Sequence, residues 1–328
     1  MRLALIAAGL LAAAPALADP LPSWNDTETK SRIIAFVESV TDPSADTFVP
    51  VKDRIATFDN DGNLWAEQPV YFQLIFAIDR VAELAKADPS IAQSEAMKAA
   101  AAQDYKAVLA SGEDGLIEVL AAAHTGVDTE TFIESAADWL ATARHPQTGL
   151  LYKEMTYQPM VELLRYLRDE DFQTFIVSGG GIHFVRAYAE EAYGIPPQNV
   201  VGTQTVTTYE TAEDGTPRII KQPEIFFIDD KAGKPVGIDN HIGKRPILAS
   251  GNSDGDFAML EYTTAGEGPR LGILLHHTDA EREFAYDREG HVGVLNRGLD
   301  EAEARGWLVI DMARDWGRIY TGKPKDAE

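Results

Sequence analysis

Short apolar stretches alternate with helical segments along this chain, and that alternation limits the folds open to it. Five stretches have the length and composition of buried strands: "RIATF" (54–58), "QTFIVSGGG" (173–181), "PILAS" (246–250), "RLGILLHH" (270–277) and "GWLVIDM" (306–312). The first two are separated by a long helical stretch whose last part, "YQPMVELLRYLRDE" (157–170), has apolar residues at helical spacing. The pattern predicts an α/β fold, with a parallel sheet and helices on both of its faces.

Polar side chains follow three of these strands at the point where each strand ends. The first strand runs into Asp59 and Asp61, the second ends at Ser178, and the third is followed by Asn252. In parallel sheets, sites lie beyond the carboxyl ends of the strands. We therefore expect these side chains to meet at one edge of the sheet.

The segment "ATFDNDGNLW" (56–65) is compatible with two kinds of site. Its oxygen-bearing residues alternate as in a calcium loop, but an EF-hand needs glycine at position 6 and glutamate at position 12. Counted from Asp59, these positions hold Leu64 and Val70. A pair of catalytic carboxylates fits better. One can attack phosphorus, and the other can protonate the leaving oxygen and later deprotonate water.

Three segments, in order, resemble the signatures of the haloacid dehalogenase (HAD) superfamily: "FDNDGN" (58–63), "IVSGG" (176–180) and "GNSDGD" (251–256), with lysines between the second and third. The layout is most similar to the phosphoserine-phosphatase-like phosphohydrolases. The resemblance implies a Rossmann-like parallel-sheet core, residues 19–65 and 150–328, with a helical cap inserted at 66–149. It also implies a phosphatase, because dehalogenases of the superfamily lack the second aspartate.

The resemblance assigns roles to individual residues. Asp59 would be the nucleophile and Asp61 the general acid/base. Ser178, with the backbone N–H groups that follow it from Gly179 onward, would bind the transferring phosphoryl group.

The resemblance also implies a Mg²⁺ cofactor. Its ligands would be the Asp59 carboxylate, the Asp61 backbone carbonyl and a residue of "GNSDGD". Asn252 stands where the family usually has an aspartate, Asp256 aligns with the second acid of the motif, and Asp254 is an additional carboxylate. We expect Asn252 to be the ligand, with Asp256 the next choice, since magnesium accepts sites with few protein ligands.

Four lysines are candidates for the cation that neutralises the aspartyl-phosphate: Lys221, Lys231, Lys234 and Lys244. We expect Lys234, because it begins a predicted helix and sites of this kind lie at strand ends and helix starts. Lys244, just before the strand at 246–250, is the alternative.

Two other classes of function remain open. "GNSDG" fits the G-x-S-x-G elbow of serine esterases, with Ser253 as nucleophile and His276, His277 or His291 as base. A small-ligand binding protein without catalysis is the second alternative, because a fold does not establish an activity.

The N-terminus and the charge predict location and partners. Residues 1–18 have the features of a signal peptide cleaved after Ala18, so we expect a periplasmic or secreted protein without a membrane anchor. The chain has no cysteine and a net charge of −23, which disfavours nucleic-acid binding. The expected partner is a small phosphorylated metabolite, and no protein partner is predicted.

Overall fold

The computed structural model describes residues 18–322. The predicted signal peptide, apart from its last residue, lies outside this range. Within the described range, no helix combines the length and the apolar character needed to cross a bilayer.

A seven-stranded sheet forms the centre of the molecule, with the strand order β4-β3-β2-β1-β5-β6-β7. All neighbouring strands are parallel except β3 and β4, which form an antiparallel hairpin. The predicted α/β fold with a mainly parallel sheet is therefore confirmed. The strands are β1 (Ile55–Phe58), β2 (Gln173–Gly181), β3 (Val200–Thr211), β4 (Pro217–Phe227), β5 (Leu248–Gly251), β6 (Leu271–His276) and β7 (Leu308–Asp311).

Helices cover both faces of the sheet. Ile176 and Val177 are consecutive in β2, and they belong to two different apolar clusters because successive side chains of a strand point to opposite faces. The helices are α1 (Glu28–Thr41), α2 (Phe72–Ala87), α3 (Glu95–Ala101), α4 (Tyr105–Ala110), α5 (Gly112–His124), α6 (Thr129–Thr142), α7 (Gln158–Asp169), α8 (Ile182–Arg186), α9 (Ala189–Tyr193), α10 (Gly233–His241), α11 (Phe257–Thr264), α12 (Arg297–Glu301) and α13 (Met312–Asp315).

Six of these helices, α2 to α7, lie between β1 and β2 in the chain, and the first five of them, α2 to α6, fall within residues 66–149. Asp128 begins α6 by accepting a hydrogen bond from Thr131 N at 2.8 Å, which is the N-cap arrangement. The segment predicted as a cap, 66–149, thus contains these five helices. Its separation from the core as a domain stays a prediction.

The hairpin of β3 and β4 reaches the helical segment. Gly126 N donates to the Lys221 carbonyl at 3.1 Å, and Lys221 N donates to the Val127 carbonyl at 3.0 Å. These two bonds attach β4 to the connection between α5 and α6. The hairpin and the helices therefore form neighbouring walls above the sheet edge.

Candidate active site

Asp59 is the first residue after β1, and a buried lysine contacts it. Lys234 Nζ lies 2.5 Å from Asp59 Oδ1 and 2.7 Å from Asp256 Oδ1, and it donates to the Val177 carbonyl at 2.8 Å. The lysine thus joins the ends of three strands. Lys244, the alternative from the sequence, instead pairs with Asp53 at the surface, at 2.8 Å.

Asp61 is held by an indole. Trp65 Nε1 donates to Asp61 Oδ1 at 2.9 Å, and the Trp65 ring stacks on Tyr188 with centroids 4.4 Å apart. The turn between Asp61 and Trp65 requires Gly62. Its φ is +75°, and a Cβ at this position would collide with the side chains of Asn252 and Glu67. Burial raises the pKa of Asp61, so its protonated form, the one that can donate a proton, is favoured.

Ser178 lies in β2 and fixes the last three residues of this strand, Gly179–Gly181, where the strand register is irregular. We call these three residues the glycine loop. Its hydroxyl accepts a hydrogen bond from Gly180 N at 3.0 Å. Gly181 N donates to Gln73 Oε1 of α2 at 2.8 Å. The Ser178 side chain is fully buried, whereas the backbone of Gly179 and the next two glycines lines the cavity beside Asp59. The phosphate-binding roles of Ser178 and Gly179 stay predictions.

Asn252 is oriented by a residue that the sequence reasoning missed. Its Nδ2 donates to Glu67 Oε1 at 2.8 Å, and Tyr286 donates to the same oxygen at 2.7 Å. Asn252 Oδ1 is buried and has no hydrogen-bond partner in the described part of the protein. An acidic residue within the apolar run "LWAEQPVYF" was the one available signal for Glu67.

The two aspartates of "GNSDGD" have different surroundings. Asp256 Oδ2 accepts hydrogen bonds from the backbone N–H groups of residues 252 and 253 at 2.9 and 3.0 Å, while Oδ1 contacts Lys234. Asp254 points elsewhere and accepts from the N–H groups of residues 296–298 at 2.9 to 3.1 Å. Asp254 therefore orders a loop, and Asp256 belongs to the site.

A family comparison agrees with this geometry. Residues 56–261 match the family model described as haloacid dehalogenase-like hydrolase. The chain belongs to this family. The match spans the Asp59, Ser178 and Asn252 segments, so the predicted superfamily is confirmed and the protein is a HAD-type hydrolase. A comparison with curated proteins gave no match.

Solved structures provide a further comparison. A conserved protein of unknown function from Anaerococcus prevotii DSM 20548 is 16% identical, with a TM-score of 0.55 and coverage of 88% of this chain and 93% of that chain. This similarity supports the fold. A protein of unknown function from Bordetella pertussis Tohama I is 19% identical (TM-score 0.49, coverage 79% and 98%). A phosphoserine phosphohydrolase-like protein from Francisella tularensis subsp. tularensis SCHU S4 is 17% identical (TM-score 0.37, coverage 76% and 98%). Both of these TM-scores are below 0.5, so we draw no conclusion from these two similarities.

The charges of this HAD site favour an additional cation. Four carboxylates, those of Asp59, Asp61, Glu67 and Asp256, line one cavity, and Lys234 pairs with two of them, Asp59 and Asp256. Burial raises the pKa of Asp59 and of Glu67, because their charges are incompletely compensated. The free Asn252 Oδ1 is the type of oxygen that magnesium accepts, so the donor set fits this ion. The described residues contain no group of three or more His, Asp or Glu able to hold a metal ion, and a site here would need amide or carbonyl oxygens.

A cavity of about 450 Å³ opens above Asp59 and Asp61. Its base is formed by the residues that follow β1, by the glycine loop and by Ser253 and Asp256 of the "GNSDGD" segment. We call this base the catalytic end of the cavity, after the role proposed for it below. Its walls come from α2, α5 and the β3–β4 hairpin, and they are largely apolar. The wall residues include Leu74, Leu116, Ile117, Leu120, Thr205, Lys221 and Ile225.

The structure does not bring together the residues predicted for a serine esterase, Ser253 and a histidine base. Ser253 Oγ contacts Asp256 Oδ2 at 3.3 Å. His276 is directed to Asp287, and His277 contacts Glu283 and the Gly62 carbonyl. No histidine forms a hydrogen bond with Ser253 within residues 18–322, so the Ser–His pair of an esterase is missing there.

Proposed function

We propose that this HAD hydrolase is a Mg²⁺-dependent phosphatase that cleaves small phosphate monoesters through an aspartyl-phosphate on Asp59. One observation carries the proposal. Asp59 and Asp61 follow the same strand and line the same cavity, and Lys234 contacts only the first of them. The two carboxylates thus have the different surroundings that a nucleophile and an acid/base require.

In the first step, an Asp59 carboxylate oxygen attacks phosphorus and the bond from phosphorus to the alcohol oxygen breaks. Asp61, which the Trp65 indole orients, gives its proton to the departing alcohol. In the second step, water attacks phosphorus, Asp61 takes a proton from that water, and the acyl-phosphate bond to Asp59 breaks. Inorganic phosphate leaves, and both side chains return to their starting states.

The surrounding groups bind and orient the phosphoryl group. Lys234, with two carboxylate contacts, keeps its proton and offsets negative charge at Asp59. The backbone of Gly179–Gly181 lines the cavity, and the Ser178 hydroxyl holds this segment in place by accepting a hydrogen bond from Gly180 N. The apolar walls reduce the access of bulk water.

The proposed magnesium ligands are the Asp59 carboxylate, the Asp61 backbone carbonyl and the Asn252 amide oxygen, with Asp256 as the next candidate. When bound, the ion supplies positive charge that screens Asp59 from an anionic substrate. The free amide oxygen of Asn252 supports this choice, whereas both oxygens of Asp256 already have partners.

Location, domain division and partner complete the proposal. Residues 1–18 would be removed as a signal peptide, which leaves a periplasmic or secreted enzyme. The helical segment 66–149 would act as a cap over the cavity. A small phosphorylated metabolite would be the partner of this site.

The experiment compares p-nitrophenyl phosphate and p-nitrophenyl acetate as substrates of the protein that begins at residue 19, with Mg²⁺ and with EDTA. We expect phosphate release that requires the metal and is lost in Asp59→Asn. Asp53→Asn is the matched control, because Asp53 pairs with Lys244 at the surface. Full activity of Asp59→Asn would refute the mechanism. Acetate cleavage that EDTA does not affect would favour Ser253, and no turnover of any phosphate ester would favour a binding protein.

A further inference from the structure

Three lysines in the described chain are buried: Lys30, Lys221 and Lys234. Lys30 pairs with Asp19 and Asp26, and Lys234 pairs with Asp59 and Asp256. Lys221 is 3% exposed, yet it has no ion pair with any carboxylate whose side chain the structure describes. A buried charge without a counter-charge is costly, so this lysine needs another explanation.

The groups around the Lys221 ammonium are neutral. Its Nζ lies 3.1 Å from His183 Nδ1 and 3.3 Å from Thr205 Oγ1, and 4.8 Å from the centroid of the Phe132 ring. Burial, and then the lysine itself, lowers the pKa of His183 to about 3. His183 is therefore an uncharged acceptor at neutral pH. These contacts orient the ammonium group without neutralising it.

Lys221 lines the same cavity as the catalytic carboxylates. Among the described residues, five acidic residues line that cavity, and they lie at its catalytic end or, for Asp230, beside Gly179: Asp59, Asp61, Glu67, Asp230 and Asp256. In a chain with 52 acidic and 29 basic residues, a cation left without an acidic partner in a ligand cavity indicates that an anion enters from outside.

We propose that Lys221, together with the Thr205 hydroxyl, binds a second anionic group of the substrate. The substrate class is then a phosphate monoester whose alcohol portion carries a carboxylate or a further phosphate, attached through an apolar spacer. The spacer would contact Leu74, Leu120 and the other apolar walls. This inference rests on the proposed function, because the first phosphate must lie at Asp59.

Binding of non-hydrolysable phosphonates tests the site separately from turnover. Calorimetry would compare alkylphosphonates with ω-carboxyalkylphosphonates and α,ω-bisphosphonates of increasing chain length, with Mg²⁺ present. At the length that spans the cavity, we expect the second anionic group to lower Kd by about 10-fold or more, as a charge-assisted contact does. The two anionic series distinguish a carboxylate site from a phosphate site.

Lys221→Met keeps the volume of the side chain and removes its charge. In this variant the ratio of the two Kd values, alkylphosphonate over its ω-anionic counterpart, should fall to about 1. Lys244→Met, which removes a surface lysine, should keep the wild-type ratio. If Lys221→Met does not fold, the wild-type length series still decides whether a second anion is bound, and Thr205→Val should reduce its advantage.

Two results would overturn the inference: no chain length at which the second anionic group tightens binding, or an advantage that survives in Lys221→Met. Hydrolysis of the corresponding phosphate esters separates this from the proposed function. Turnover of alkyl phosphates without any preference for a second anion would refute the Lys221 site alone. Binding that depends on Lys221 without turnover of any ester would refute the phosphatase and retain the anion site.

Discussion

Glu67 and Asn252 are joined by a hydrogen bond of 2.8 Å from the amide nitrogen to the carboxylate. Glu67 Oε1 accepts hydrogen bonds from the Tyr286 hydroxyl and from Asn252, so the amide nitrogen, the only donor atom of the Asn252 side chain, faces Glu67. The amide oxygen is consequently turned away from Glu67 and stays without a protein partner. Glu67 thereby determines which atom of Asn252 is offered to a cation.

Glu67→Gln should weaken the binding of magnesium. The amide of a glutamine can face either the nitrogen or the oxygen of the Asn252 side chain, so it no longer selects the nitrogen. Loss of a residue that orients a ligand typically costs about 10- to 100-fold in metal affinity. The measurement is the Mg²⁺ concentration that gives half-maximal phosphatase activity. Glu162→Gln is the control, since Glu162 is also buried but contacts Ser23. An unchanged Mg²⁺ requirement in Glu67→Gln would contradict the orienting role.

Lys234→Met should lower kcat by at least about 100-fold, which is typical for the loss of a group that stabilises developing charge. Lys244→Met should have little effect, because Lys244 pairs with Asp53 at the surface. Steady-state kinetics of both variants, with circular dichroism to confirm folding, tests this. A larger loss in Lys244→Met would reverse the assignment of the lysine.

Trp65→Phe removes the indole donor to Asp61 and keeps an aromatic ring against Tyr188. That hydrogen bond lowers the pKa of Asp61 against the effect of burial, so its loss should move the limb of the pH–rate profile that reports Asp61 to higher pH. Trp139→Phe is a matched control, since Trp139 donates to Asp79 in the same way at 2.9 Å. Superimposable profiles of wild type and Trp65→Phe would refute the prediction.

Asp229→Asn should stabilise the protein at about pH 8 and do so much less at about pH 5. Asp229 is buried, and neither of its carboxylate oxygens has a hydrogen-bond partner among the residues that the structure describes. Burial raises its pKa from 3.8 to about 7, so the folded state keeps a proton that the unfolded chain releases. Stability therefore falls as pH rises from about 4 to 7, by at most about 4 kcal/mol.

Urea unfolding of wild type and Asp229→Asn at both pH values measures this effect. Asp239→Asn, at an exposed position of α10, is the control and should change stability equally at both pH values. If Asp229→Asn also changed the stability equally at both pH values, the prediction of a raised pKa for Asp229 would be refuted.

The sequence was sufficient where a local pattern determines the structure. A short apolar run predicts β1, and the carboxyl-end rule for parallel strands brings Asp59, Ser178 and Asn252 together. Lys234 was predicted for the same reason, as the start of a helix facing the strand ends. Each of these inferences uses one segment and the topology of the sheet.

Other features depend on contacts between distant segments. Glu67 meets Asn252 across 185 positions of sequence, and no local spacing predicts such a pair. Lys221 was one of four lysine candidates, and it lies in the β3–β4 hairpin. Lys221 reaches the cavity because the hairpin packs against the helices. This packing depends on contacts between distant segments, which the local sequence pattern does not predict.

The two backbone hydrogen bonds between β4 and the connection of α5 and α6 also affect how such an enzyme can change its substrate. Exchanging the hairpin alone, or the helices alone, for a segment whose backbone follows a different path would leave polar backbone groups without partners at the junction. A graft that alters selectivity must therefore carry both segments together and keep Gln73 of α2, which accepts a hydrogen bond from Gly181 N.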